Sequence, residues 1–257
     1  MEPTKTSVVS RVTDILSAVA RRGAEGARLL DIAEETGIAR PSVHRILQEL
    51  MEAGYIQQHS GRRYGLGAAL YTLGLSAPSP IHDLAGIERA ARHLAQQTGD
   101  TVYVAIRRLD SVHYLMRAEG SYPIRAEIVE VGETVPLGVT FAGIALLSWH
   151  EPEAVETQLR ANRRFQRTVR GATQDLRETL ATVRQEIAQV RERGYCFDKD
   201  TAMPGVSGMA APIPSETAEP YMALTISAIN DRLPPRRVDE LAPLLLRTAR
   251  EMTSCIR

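Results

Sequence analysis

Residues 29–56 read LLDIAEETGIARPSVHRILQELMEAGYI. Val43, Ile46, Leu47, Leu50 and Met51 recur at i, i+3, i+4, i+7 and i+8, which is one side of a helix. Pro41 stands near its start, where a missing N–H does no harm. Upstream, LLDIAEETG predicts a short helix closed by Gly37, a residue suited to the left-handed conformation that commonly ends one. Two helices joined by a three- or four-residue turn containing Gly are the helix-turn-helix pattern. Working outward, Val8, Val12, Ile15, Leu16 and Val19 predict an amphipathic helix over 8–20. On the other side, YIQQHSGRRYGLG (55–67) predicts two short strands around a Ser-Gly turn, a β-hairpin wing.

With its apolar side inward, the helix beginning near Pro41 sends Pro41, Arg45 and Gln48 outward, flanked by Ser42 and His44. Arg45 can donate two hydrogen bonds to a guanine edge and Gln48 can pair with adenine, while Ser42 or His44 can reach bases or phosphates. Arg40, at the head of the helix, and Arg62 and Arg63, at the wing, suit phosphate or a narrow minor groove. Any surface helix carries polar residues outside. The reading therefore rests on the whole order of three helices, a Gly-closed turn and a basic hairpin. Residues 1–77 hold nine Lys or Arg against eight Asp or Glu, so one copy binds DNA weakly and a dimer presenting two such helices is expected.

Residues 66–77 predict a linker helix stopped by Pro78-Ser79-Pro80. Residues 81–98 resume a helical pattern through Ile81, Leu84, Ile87, Ala91 and Leu94, closed by Gly99. From 101 the apolar period changes to two, in TVYVAIRRL and then SVHYLMR, joined by a short Asp-Ser turn. Helices follow over 140–150 and 173–193, then strands in YCF, GMAAPI and YMALTISAI, then a closing helix over about 236–255. The expected class is α+β: a winged helix-turn-helix over 1–65, a linker over 66–79, and a domain with a central antiparallel sheet over 80–257.

The chain has 257 residues, enough for two cores, and 31 basic against 31 acidic side chains, so no charged tail announces a partner. Cys196 and Cys255 fit neither a metal-ligand spacing nor a disulfide framework. No cofactor, metal or membrane segment is expected, and the simplest setting is the cytoplasm.

These stretches resemble the isocitrate-lyase-regulator (IclR) family of bacterial transcription factors. The likeness lies in SVVSRVTDIL, in 29–56 and in GRRYGLG, then in GVTFAGIALL and RERGYCFDKDTAMPGVSGMAAPI. It implies a regulator that binds a double-stranded DNA operator as a homodimer, often paired into tetramers. It also implies a GAF-like domain that senses a small metabolite, frequently an organic or aromatic acid. Carried over by resemblance, the effector pocket comprises Ile124, Phe141, Ala142, Asp198, Val206, Gly208, Thr225 and Ser227. Two positions depart from the family pattern: Gly208 replaces a common Cys, and Phe141 replaces a small residue. Together they point away from a pyruvate-like ligand toward a larger one.

Thr225 and Ser227 are two apart on one strand, so both hydroxyls face one way, although both are also ordinary β formers. Thr140 opens a helix, where free N–H groups favour a carboxylate, and Phe141 serves equally as core. The rival functions are an enzyme on a sensory-type sheet and a winged helix that binds protein. HExxH, a phosphate loop and GxSxG are all absent from the sequence, and no catalytic residue is assigned.

Overall fold

The computed structural model describes residues 7–171, 175–200, 203–215 and 219–257. The chain divides into two compact units, Met1–Ser79 and Pro80–Arg257.

In the first unit, α1 (Val8–Ala20) is capped by Ser7, whose hydroxyl accepts the Ser10 N–H. Helix α2 (Leu29–Thr36) ends at Gly37, which takes φ 68°, and α3 (Arg40–Glu52) begins three residues later. Ile15, Val19, Ile32, Val43, Ile46 and Leu47 converge in one buried cluster, so the apolar faces read from the sequence do meet. The hairpin of β2 (Ile56–His59) and β3 (Arg63–Leu66) turns through Gly61 and Arg62, both at positive φ. A third strand absent from the sequence reading, β1 (Ala27–Arg28), pairs with β3, giving the order β1-β3-β2. Helix α4 (Ala68–Ser76) follows, and none of its residues is buried.

The second unit is a six-stranded antiparallel sheet in the order β6-β5-β4-β9-β8-β7. Its strands are β4 (Thr101–Arg108), β5 (Ser111–Ala118), β6 (Thr134–Pro136), β7 (Cys196–Lys199), β8 (Val206–Ile213) and β9 (Met222–Ile229). Helices α5 (Leu84–Thr98) and α10 (Pro235–Met252) cover one face; α6 (Phe141–Leu147) and α9 (Leu176–Arg193) cover the other. Both faces of β9 are therefore buried. Its alternation separates large apolar residues (Met222, Leu224, Ile226), which meet α5 and α10, from the small or polar Ala223, Thr225 and Ser227 on the α6 and α9 side.

Several local expectations are corrected. Helix α5 starts at Leu84, where the Asp83 carboxylate accepts the Gly86 N–H at 2.8 Å, and Ile81 bridges Ile256 instead. The β4–β5 turn is Leu109-Asp110, with Leu109 at φ 57°. Strand β6 and helices α7 (Pro152–Ala161) and α8 (Arg163–Gly171) fill two stretches the sequence reading left blank, one on each side of α6. Residues 173 and 174, which that reading includes in the long helix, lie outside the described residues. Both cysteines are buried and free.

Buried charge locks the end of this sheet. The Asp100 side chain, 1% exposed, accepts from Arg232 Nε at 2.7 Å and from Arg237 Nη2 at 2.6 Å. Two guanidiniums on one carboxylate satisfy it through charge-assisted bonds and tie β4 to the start of α10.

Candidate functional site

Two sets of residues were singled out, one in each unit. In the first, α3 buries Val43, Ile46, Leu47 and Leu50 and exposes Arg40, Pro41, His44, Arg45 and Gln48; Ser42 is half-buried. Arg45 makes its only described ion pair with Glu49, at 3.3 Å and four residues on. An exposed pair of that kind contributes little, so the guanidinium can exchange partners. At the wing the two arginines differ. Arg62 is exposed at the turn, at φ 58°. Arg63, expected to face phosphate, is half-buried, and its guanidinium donates to the Gly26 carbonyl at 3.1 Å and the Glu25 carbonyl at 3.5 Å. Its described contacts tie the wing to the loop before β1.

In the second unit, register aligns the carried-over residues. Asp198 on β7 pairs with Gly208 on β8, and Gly208 pairs with Ser227 on β9; one row along, Cys196, Ala210 and Thr225 align in the same way. Residues two apart share a face, so Asp198, Gly208, Thr225 and Ser227 lie together on the side covered by α6 and α9. Val206 is buried at the start of β8, and Thr140, Phe141 and Ala142 are buried where α6 begins. Ile124 does not join them, being 56% exposed between β5 and β6.

The two departures from the family pattern are one feature. A Cβ built on Gly208 would stand 2.0 Å from Phe141 Cε2 and 2.3 Å from Cδ2. The ring of Phe141 occupies the space that a side chain at 208 would take. The missing side chain is what lets an aromatic fit at the head of α6.

The polar groups here are unusual. Thr225 Oγ1, Ser227 Oγ, Asp198 Oδ2 and both carboxyl oxygens of Glu186, on α9, are buried without a hydrogen-bond partner among the described residues. Each orphaned buried group costs on the order of 1–3 kcal/mol, so a cluster of them calls for a ligand, a proton or water. By contrast, Thr140 Oγ1 is satisfied by the Tyr114 hydroxyl, which donates to it at 2.8 Å.

Glu186 is only 3% exposed. Burial, reinforced by Asp198 facing it, pushes its pKa up to about 9, so it holds a proton at neutral pH. The Cys196 thiol, buried between the Phe141 and Ala210 carbonyls, is raised as well, by burial first and then by Glu186. Glu186 was missed in the sequence because a Glu on a charged helix reads as solvent-facing. The signal was there: it sits three residues after Val183 and four before Val190, within the buried row of α9.

Among the described residues no His, Cys, Asp and Glu cluster is arranged to hold a metal, and no helix is long and apolar enough to cross a membrane.

The comparisons with known proteins agree over both units. The family description "IclR helix-turn-helix domain" matches residues 8–60, and "Bacterial transcriptional regulator IclR C-terminal" matches residues 82–254. The glycerol operon regulatory protein of Streptomyces coelicolor is 30% identical over 235 residues, covering 89% of this chain and 86% of its own. The transcriptional repressor IclR of Escherichia coli is 25% identical over 230 residues, covering 88% and 81%. Among solved structures, an IclR family transcriptional regulator from Brucella abortus superposes with a TM-score of 0.61 at 19% identity, over 97% of this chain and 92% of that one; this is a likeness of fold. With both of its units matched in order, the chain belongs to the IclR family of bacterial DNA-binding transcriptional regulators.

Proposed function

We propose that this regulator reads its operator through the outer face of α3, with Arg45 and Gln48 on base edges. Pro41, Ser42 and His44 beside them and Arg40 and Arg62 on the backbone complete the contact. The observation that carries this reading is the division of α3 into an apolar side, with Val43, Ile46, Leu47 and Leu50 buried and Met51 half-buried, and an exposed polar one. Arg63, tied to Gly26 and Glu25, acts on DNA indirectly by holding the wing.

The operator is read by a homodimer. The first unit is nearly neutral, so one copy has little electrostatic hold on phosphate. Helix α4 is an apolar element left open to solvent, with Tyr71 at 71% and Leu75 at 68% exposure, and a second copy of the chain is the partner that would cover it.

DNA affinity is controlled by a small metabolite bound in the second unit against Thr140, Phe141, Ala142, Asp198, Val206, Gly208, Thr225 and Ser227. Unpartnered hydroxyls and carboxyl oxygens in one buried place support that site. The effector acts by shifting the spacing of the two α3 helices, whose targets lie about one helical turn of DNA apart or a multiple of it.

The test is titration of labelled DNA from beside the gene with the full chain, with and without metabolites that raise its thermal stability. Expected is tight binding that steepens at low salt and is altered by one metabolite class. A protein that binds no DNA while turning over a metabolite would overturn the reading.

A further inference from the structure

We propose that the effector of this protein carries an ammonium group, received by the facing carboxyls of Glu186 and Asp198 with the hydroxyls of Ser227 and Thr225 beside them. This rests on the effector site placed above and names the chemistry of its ligand.

The unpartnered atoms decide the class. Three are carboxyl oxygens and two are hydroxyls that can donate or accept, so the facing pair of acids sets the preference for a positively charged donor. Two carboxyls facing each other bond only through a shared proton, and even then most of their lone pairs remain unused. An ammonium supplies three donors from one point and one positive charge, which takes the place of the proton that the pair holds. A carboxylate would place a third acid beside Glu186 and Asp198.

The charged surroundings are sparse. Asp198 is the charged neighbour acting on Glu186, and the Cys196 thiol on β7 feels both. The residues placed at the site on α6, β8 and β9, namely Phe141, Ala142, Gly208, Ala210, Thr225 and Ser227, are all uncharged. The apolar body of the ligand meets the Phe141 ring, which rests on Gly208.

A proton must then leave on binding. The empty site holds one proton on Glu186; an arriving ammonium is already protonated, favours the ionised carboxyl and sends that proton to the buffer. A neutral hydroxyl ligand would release none, and a carboxylate would draw one in.

The probes are propylamine, benzylamine, benzyl alcohol and benzoate, titrated calorimetrically into the full chain near neutral pH in two buffers of different ionisation enthalpy. Expected is amine binding at least about ten-fold tighter than the alcohol or the acid, with proton release. Glu186→Gln should weaken the amine at least about ten-fold and abolish the release, and Ser227→Ala should weaken it with the release retained. Tighter binding of benzoate or benzyl alcohol, proton uptake, or no binding of either amine at about 10 mM would overturn the proposal. Operator affinity measured alongside separates the two readings. Amine binding with no change on DNA would sink the effector role and leave the ligand class standing; operator release by benzoate would do the reverse.

Discussion

The contact between Phe141 and Gly208 yields the most exacting prediction. Adding one methyl in Gly208→Ala places a carbon 2.0 Å from Phe141 Cε2 and 2.7 Å from Cζ, well inside the 3.4 Å at which ordinary contact begins. The ring must retreat by about 1.4 Å into a helix that is buried throughout, and overpacking of this kind costs roughly 1–3 kcal/mol, here near the upper figure. Phe141→Ala alone empties a fully buried site and should cost about 3–5 kcal/mol. In the double variant the new methyl enters the space the ring has left, so Gly208→Ala should there be neutral within about 0.5 kcal/mol. Position 208 has extended backbone that alanine accepts, which leaves the ring as the source of the penalty. Urea unfolding of the full chain followed through Trp149, its one tryptophan, reports this unit directly. The double-mutant cycle should return a coupling of at least about 1.5 kcal/mol. Additive penalties, or a Gly208→Ala variant as stable as the parent, would refute the argument.

Other outcomes follow from the same geometry. Arg45→Ala should lose on the order of 1–3 kcal/mol of operator affinity and relax base preference at one position; unchanged selectivity in a competition gel shift would remove Arg45 from the reading face. Ser227→Ala should raise the effector concentration needed for half-maximal response by about ten-fold without loss of thermal stability, because its hydroxyl has no described partner to lose. Glu186 is raised to about 9 in the folded chain, so the native state keeps a proton that the unfolded chain gives up at an ordinary carboxylate pH. Its stabilising share is complete in acid and lost as pH climbs toward 9. Glu186→Gln should therefore gain melting temperature over the parent increasingly between mildly acidic and alkaline pH, and parallel curves would exclude a buried, proton-holding Glu186.

Sequence made some of this plain and hid the rest for identifiable reasons. Helices α1 to α3 were legible because Val43, Ile46, Leu47 and Leu50 keep helical period and Gly37 marks the stop. Strand β1 was not, since two residues carry no period and its pairing with β3 spans more than thirty positions. In α8, among the described residues, only Phe165 and Val169, four apart, are buried, too thin a stripe to register. Strand β6 is three residues ending in Pro136, which an edge position tolerates. In β9, alternation put Thr225 and Ser227 on one side correctly. Glu186 was hidden, because only the packing of α9 reveals its burial. Arg63 looked identical to Arg62 in sequence; what separates them is a carbonyl some forty residues earlier.

That clasp on Gly26 and Glu25, together with the pairing of β3 to β1, makes hairpin and helices a single stiff body. A stiff body cannot be retuned by bending. In the dimer proposed above, metabolite levels would then alter only where the two heads stand on the duplex, so regulation would act on the pitch of the grip and leave the spelling it recognises untouched.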